Sequence, residues 1–310
     1  MDILFFDPCL KDVVWGGSKL RDEFHYEGAG DSTGECWGIS AHKNGDGKIK
    51  NGTYAGMTLS ALYRDHRELF GNITAEEFPL LVKIIDAKAD LSIQVHPDDA
   101  YVREHEDCPF GKTECWYIMD CPENATLVIG HHAKTRKELA DMIHEDRYEE
   151  LIKQLPVKKG DFIQIVPGTV HAIKGGFTIL ETQQSSDITY RVYDYKRLVD
   201  GKERPLHVKQ SIDVITVPDE SGEKALISTE GMKKDAMNLL IACEFYKVWK
   251  MEVETSVNVE QKYPFLLGSV LDGCGRVNEY ELKKGDHFMI PAEYGNVKFE
   301  GNMELILSTV

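Results

Sequence analysis

Apolar positions along this chain recur mostly at strand-like spacing, and a helical period replaces it in two places. Phe78-Pro79-Leu80-Leu81-Val82-Lys83-Ile84-Ile85-Asp86-Ala87 predicts a buried strand, and Ala125–Gly130, Phe177–Thr182 and Ile188–Tyr195 predict further short strands. Residues 1–57, rich in glycine and aromatics, read as strand ends and tight loops around Trp15-Gly16-Gly17 and Gly34-Glu35-Cys36-Trp37-Gly38-Ile39-Ser40. There the two tryptophans suit cross-sheet packing, while Glu35 or Ser40 is a candidate for a pocket mouth.

The helical stretches are Thr58–Gly71 and Thr135–Leu155. In the first, Leu59, Leu62, Tyr63, Leu69 and Phe70 form one apolar face and Gly71 is placed to stop it. In the second, Leu139, Met142, Ile143, Leu151, Ile152 and Leu155 form a stripe, Thr135 and Glu138 have capping-box spacing, and Pro156 ends it. The fold class expected is mostly β, with a small helical insertion near residues 135–155.

An internal echo predicts two modules. Lys158-Lys159-Gly160-Asp161 feeds a strand ending at Pro167, and about 125 residues later Lys283-Lys284-Gly285-Asp286 feeds one ending at Pro291. The first copy continues to His171; the second has no histidine at that place, so the later module is expected to keep the fold without a metal. The expected division is 1–217, a polar, turn-rich linker over 218–239, and a strand-rich module over 240–310.

Candidate chemistry lies in three segments. Alternation on a strand gives Gln94 and His96 one face, and Lys112, Glu114 and Trp116 another. Pro167-Gly168-Thr169-Val170-His171 brings a second imidazole. Singly, each histidine reads as a hydrogen-bonded core residue and Glu114 as an exposed strand glutamate. Together they suit a catalytic divalent metal, commonly Zn²⁺, with Gln94 as a further donor. Lys83, inside its apolar run, either snorkels to an edge or faces an internal polar site. His105, His131 and His132 read as surface residues.

Composition narrows the partners. With 310 residues and 42% hydrophobic content, the chain can bury one large core or two smaller ones. A net charge of -16 argues against nucleic acid and anionic membranes, while leaving room for a small anion in a locally positive pocket. Cys9, Cys36, Cys108, Cys115, Cys121, Cys243 and Cys274 are odd in number and scattered, which favours reduced thiols in a cytoplasm. The opening residues lack the pattern of a secretory signal.

Six motifs occur in order: Trp15-Gly16-Gly17, Gly34-Glu35-Cys36-Trp37, Leu91-Ser92-Ile93-Gln94-Val95-His96-Pro97, Gly111-Lys112-Thr113-Glu114-Cys115-Trp116-Tyr117, Pro167-Gly168-Thr169-Val170-His171-Ala172 and Tyr190-Arg191-Val192-Tyr193-Asp194-Tyr195. The stretch Gly160–His171 resembles the second cupin motif, and the set resembles the type I mannose-6-phosphate isomerases in their short bacterial form. The resemblance implies two cupin-like jelly-roll modules, one Zn²⁺ per chain, and interconversion of mannose 6-phosphate and fructose 6-phosphate through a cis-enediolate. It places the metal on His96, Glu114, His171 and Gln94, and a catalytic arginine on Arg191.

Lys112 is a candidate general base, since a neighbouring cation favours the uncharged amine. A hydroxide on the metal and a pocket carboxylate compete for that role. Lys83 is a candidate for the substrate's phosphate, and Arg191 could instead pair with Asp194 or Asp187. Two other readings of the same residues are an iron-dependent cupin oxygenase and a non-catalytic sugar-phosphate-binding cupin. The expected partner is a small-molecule sugar phosphate, handled by a monomer or a homodimer.

Overall fold

The computed structural model describes residues 1–310, the side chain of residue 223 excepted. Strands between residues 9 and 227 form a sandwich. One sheet has seven strands in the order Leu226–Ile227, Phe162–Ile165, Glu114–Asp120, Phe177–Gln184, Leu80–Ala87, Thr33–Ile39 and Cys9–Asp12. The facing sheet has five: Ile152–Pro156, Thr126–His131, His171–Ala172, Ile93–Val95 and Tyr190–Tyr193.

The seven-stranded sheet is covered on both faces, which explains the unbroken burial of Leu80–Ala87 and Phe177–Gln184. Ile85, Trp116, Ile118 and Ile179 point between the two sheets and meet Leu127, Ile129 and Leu155. On the reverse face, Val82, Ile84, Cys115, Tyr117 and Leu180 pack on Phe265, Leu267, Met289 and Ile306 of the C-terminal module. The outer face of the five-stranded sheet is closed by helices: Ile93, Val95, Val128, Tyr190 and Val192 contact Leu139, Met142, Ile143 and Ile212. The chain is mostly β and carries the expected cupin-like architecture.

The echo is reproduced bond for bond. Gly160 and Gly285 both have φ of 89°, a left-handed turn that glycine accepts without strain. In each turn the aspartate carboxylate accepts from the first lysine's backbone N–H at 2.9 Å, Lys158 to Asp161 and Lys283 to Asp286. The aspartate carbonyls then accept from Ile118 and Val270, each at 3.0 Å.

Several expectations are corrected. The second helical stretch is two helices, Arg136–His144 and Tyr148–Leu151, separated by Asp146 at φ 54°. Ile152–Pro156 is a strand, with Leu155 opposite Leu127; the apolar spacing there fits both periods, and pairing with an open sheet edge decides it. Thr33–Ile39 is one continuous strand, with Gly34 and Gly38 where neighbours come too close for a Cβ. His131 is buried, its Nε2 2.8 Å from the Thr216 carbonyl oxygen, whereas His105 and His132 are exposed as expected.

The pairing also crosses the expected division of the chain. Leu4–Asp7 belongs to the nine-stranded C-terminal sheet, and Leu226–Ile227, within 218–239, pairs with Phe162–Ile163 of the first module. Among the described residues, no helix is long and apolar enough to cross a membrane.

Candidate active site

Alternation along the strands aims one set of polar side chains between the two sheets of the sandwich. Tyr190 and Val192 turn outward to the helices, so Arg191 turns inward; Ile93 and Val95 do the same for Gln94, and Ala172 for His171. From the facing sheet, Lys83, Glu114 and Glu181 share the inner face with Ile85, Trp116 and Ile179. Cross-strand register then fixes the contacts: His171 lies opposite Gln94, and Glu181 lies opposite both Lys83 and Trp116.

His96, Glu114 and His171 meet at the bottom of this space and are fully buried. Nε2 of His171 is 3.1 Å from Nε2 of His96 and 3.3 Å from Glu114 Oε1, and His96 Nε2 is 3.4 Å from Glu114 Oε2. Gln94 Nε2 is 3.3 Å from His171 Nε2, and the other orientation of the amide brings Oε1 to that position. For an ion held by tetrahedral donors at about 2.0–2.1 Å, neighbouring donors sit about 3.3–3.4 Å apart, so the observed spacing fits one.

The electrostatics agree with that fit. Neither Glu114 oxygen makes a hydrogen bond within the protein, although Lys112 Nζ lies 2.7 Å from Oε2 out of bonding line. Burial would raise the Glu114 carboxyl, but the Lys112 ammonium and the neighbouring His96 and His171 rings together hold the group well below its usual range. Burial, reinforced by Lys112, pushes His96 down to about 3, and burial also lowers His171. Both imidazoles are therefore neutral, the form that offers a lone pair to a metal. The His171 Nδ1–H donates to the Thr169 carbonyl at 2.9 Å, which leaves Nε2 as its lone-pair nitrogen. His96, Glu114 and His171 are thus a group that could hold a divalent ion, their donor atoms all lying within 4.8 Å of one another.

Above the cluster is a pocket of about 210 Å³ whose lining includes Gln94, Lys112, Lys83, Glu181, Arg191 and Arg204. Glu35 also lines it, accepting from Trp37 Nε1 at 2.6 Å, while Ser40 is buried away from it beneath the His42 backbone. Lys83 faces this interior and does not snorkel: its Nζ is 2.9 Å from Glu181 Oε1. Lys112 Nζ is 3.1 Å from His96 Nε2 and 3.7 Å from Glu181. The guanidinium of Arg191 pairs with neither Asp194 nor Asp187. Asp194 is taken by Arg197 and Arg204, and Asp187 by Asn44 and His42.

Glu181 and Arg204 are pocket residues that the sequence did not disclose. Glu181 had a signal: it is a charge within the apolar run Phe177–Thr182, as Lys83 is within its own. Arg204 had none, since it follows a polar hairpin and reaches the pocket through the fold alone.

Residues 3–117 match the family model for the phosphomannose isomerase type I catalytic domain, and residues 235–310 match that for the mannose-6-phosphate isomerase cupin domain. Mannose-6-phosphate isomerase ManA of Bacillus subtilis (strain 168) is 46% identical over 310 residues, with 98% of each chain covered. The mannose-6-phosphate isomerase of Streptococcus mutans is also 46% identical, covering 98% of this chain and 97% of its own. The crystal structure of the mannose 6-phosphate isomerase from Bacillus subtilis superposes with a TM-score of 0.95 at 41% identity, covering 100% of both chains. Motif order, site geometry and near-full-length likeness agree, and the chain belongs to the type I phosphomannose isomerases and is an enzyme.

Proposed function

We propose that this chain is a zinc-dependent aldose–ketose isomerase that interconverts D-mannose 6-phosphate and D-fructose 6-phosphate through a cis-enediolate. The observation that carries the reading is the buried His96–Glu114–His171 cluster opening onto a pocket walled by Lys112 and Arg191. His96, Glu114, His171 and Gln94 would hold the ion, one per chain. Two imidazoles and oxygen donors suit zinc, which supplies Lewis-acid polarisation of the sugar oxygens without redox chemistry.

The remaining work falls to the chain's own side chains. In the aldose-to-ketose direction a base removes the proton on C2, the C1 carbonyl oxygen gains a proton, and the C–H bond is remade at C1 as the C2 hydroxyl becomes a carbonyl. Lys112 and Glu181, within 3.7 Å of each other, are assigned the proton transfer as an ammonium–carboxylate pair, the carboxylate accepting and the ammonium donating. Arg191 stays protonated throughout and donates to the oxygens on which negative charge develops. Lys83, held by Glu181, is assigned contact with the substrate. The cytoplasm, where scattered thiols stay reduced, is the proposed site of action.

The test is turnover of mannose 6-phosphate to fructose 6-phosphate by the metal-loaded chain in a coupled assay. Arg191→Ala should lower kcat by roughly 10²- to 10³-fold, the usual effect of losing one donor to developing charge. Oxygen consumption without isomerisation would replace this reading with an iron-dependent one, and unaltered turnover by Arg191→Ala would remove the role given to that residue.

A further inference from the structure

The charges around the pocket are segregated. Near the histidines, Lys83 and Lys112 stand among the carboxylates of Glu35, Glu114 and Glu181, so their positive charge is already answered. Further along the wall the balance reverses. Arg191 lies opposite Gln94 across the strand pair, and Arg204 lies close enough that, with burial acting first, its charge helps lower Arg191 below the usual arginine range. Arg191 has no ion-pair partner among the described residues, and its buried Nε has no acceptor.

One carboxylate, that of Asp194, answers the arginines here, since Asp187, which also lines the pocket, is held by Asn44 and His42. Asp194 accepts from Arg204 through Nε at 2.6 Å and Nη2 at 2.7 Å, and also from the Arg197 guanidinium. Two guanidinium groups thus share one carboxylate and a third, that of Arg191, has none, in a chain of net charge -16. Partly desolvated like charges without counter-charge are unfavourable, and an anionic group in the pocket offsets them.

The local fold holds Arg204 in place. Arg197 precedes and Arg204 follows a two-stranded hairpin, Leu198–Val199 paired with Lys202–Glu203. Asp200 and Gly201 turn it with φ of 52° and 77°, values that suit a tight hairpin turn. Asp194 therefore pins both ends of the hairpin and grips Arg204 by one edge. The Nη1 corner has no protein partner among the described residues.

We propose that Arg204 binds the phosphate group of the substrate and that Asp194 is its positioning residue, which leaves Arg191 for the reacting end of the sugar. The sequence offered Lys83 for the phosphate, but its ammonium is engaged by Glu181, whereas a guanidinium with a free corner is suited to a phosphoryl oxygen. The inference rests on the isomerase reading for the identity of the sugar; the phosphate site itself can be probed without turnover.

The experiment is titration calorimetry of the metal-loaded full chain with inorganic phosphate alone, alongside steady-state kinetics on mannose 6-phosphate. Arg204→Ala is expected to weaken phosphate binding roughly 10- to 100-fold, the effect of one charge-assisted pair. KM for the sugar phosphate should rise by a similar factor, with kcat moved far less. Arg204→Lys, which keeps the charge and loses the fork, should fall between the two and serves if the alanine variant does not fold. Asp194→Asn should weaken binding without abolishing it. Phosphate affinity within about twofold of wild type in Arg204→Ala or Arg204→Lys, or no phosphate binding by wild type, overturns the proposal. Phosphate binding that depends on Arg204 in a protein that does not isomerise the sugar would keep this site and remove the isomerase reading. Turnover with unaltered phosphate affinity would do the reverse.

Discussion

The Nε2 atoms of His96 and His171 lie 3.1 Å apart, although the residues are separated by 75 positions in the chain. His171 donates through Nδ1 to a backbone carbonyl, so its Nε2 presents a lone pair. His96 Nε2 faces the Lys112 ammonium at 3.1 Å, which makes it an acceptor too. Two acceptor nitrogens this close, with a buried carboxylate beside them, are better satisfied when a cation lies between them.

Removing that cation should therefore cost stability as well as activity. Chelator-treated protein is expected to melt several degrees lower than the metal-loaded form, since saturation at a thousandfold excess over Kd contributes roughly 4 kcal/mol. Scanning calorimetry with elemental analysis checks this: one equivalent of metal per chain should return with the lost melting temperature. An unchanged melting temperature in metal-free protein would argue against a buried ion site.

Glu181 holds the pocket's inner charges together. Its Oε1 is 2.9 Å from Lys83 Nζ, and its Oε2 accepts from Trp116 Nε1 at 3.0 Å. Glu181→Gln keeps an acceptor for the indole but leaves Lys83 buried without its counter-ion, a loss of about 3–5 kcal/mol. Lys83→Met in the same chain should recover much of it. Urea denaturation of the two single variants and the double variant measures the coupling, and additive losses would contradict it.

Acid stability should depend on Asp194. Burial acts to raise its carboxyl, but the hydrogen bonds from Arg204 and Arg197 prevail and hold it below the usual carboxylate range. A depressed folded-state value means that the unfolded chain binds the proton more readily. The contribution is therefore complete above the unfolded value of about 3.9 and is lost as pH falls through the folded one. The stability difference between wild type and Asp194→Asn, from denaturation at stepped pH, should be flat above about pH 5 and shrink below pH 4. A difference that grows on acidification has the wrong sign for this ion-pair cluster.

Gly38 tests how closely the two modules fit. A Cβ there would lie 2.4 Å from the His287 ring, which is itself held by Ser269 at 2.8 Å and Tyr26 at 3.0 Å. Gly38→Ala is expected to destabilise the protein by about 1–3 kcal/mol through overpacking. Combining it with His287→Ala should relieve part of that loss, as read by thermal or urea unfolding.

Much of this architecture was legible in the residues alone because strand alternation and turn chemistry are local. The turns of Lys-Lys-Gly-Asp require glycine at φ of 89° and an aspartate that caps its own loop, so their recurrence marked two copies of one strand pair. The placing of Gln94 beside His96, and of Lys112 beside Glu114, follows from a period of two. Where two periods fit the same apolar residues, as over Leu151–Leu155, the sequence left the choice to whichever neighbour offered unpaired backbone, and the Thr126–His131 edge took it.

Tertiary structure alone decided which charges answer one another. Nothing near Lys83 in the chain indicates that Glu181 stands opposite it, because that pairing is set by the register of two strands almost a hundred residues apart. The same holds for Arg191: its sequence neighbour Asp194 is drawn off by Arg197 and Arg204, so a residue that could have been half of a salt bridge is left as an open cation in the pocket. Local pattern sets which way a side chain faces, whereas its partner, and hence its charge balance, depends on how distant strands align.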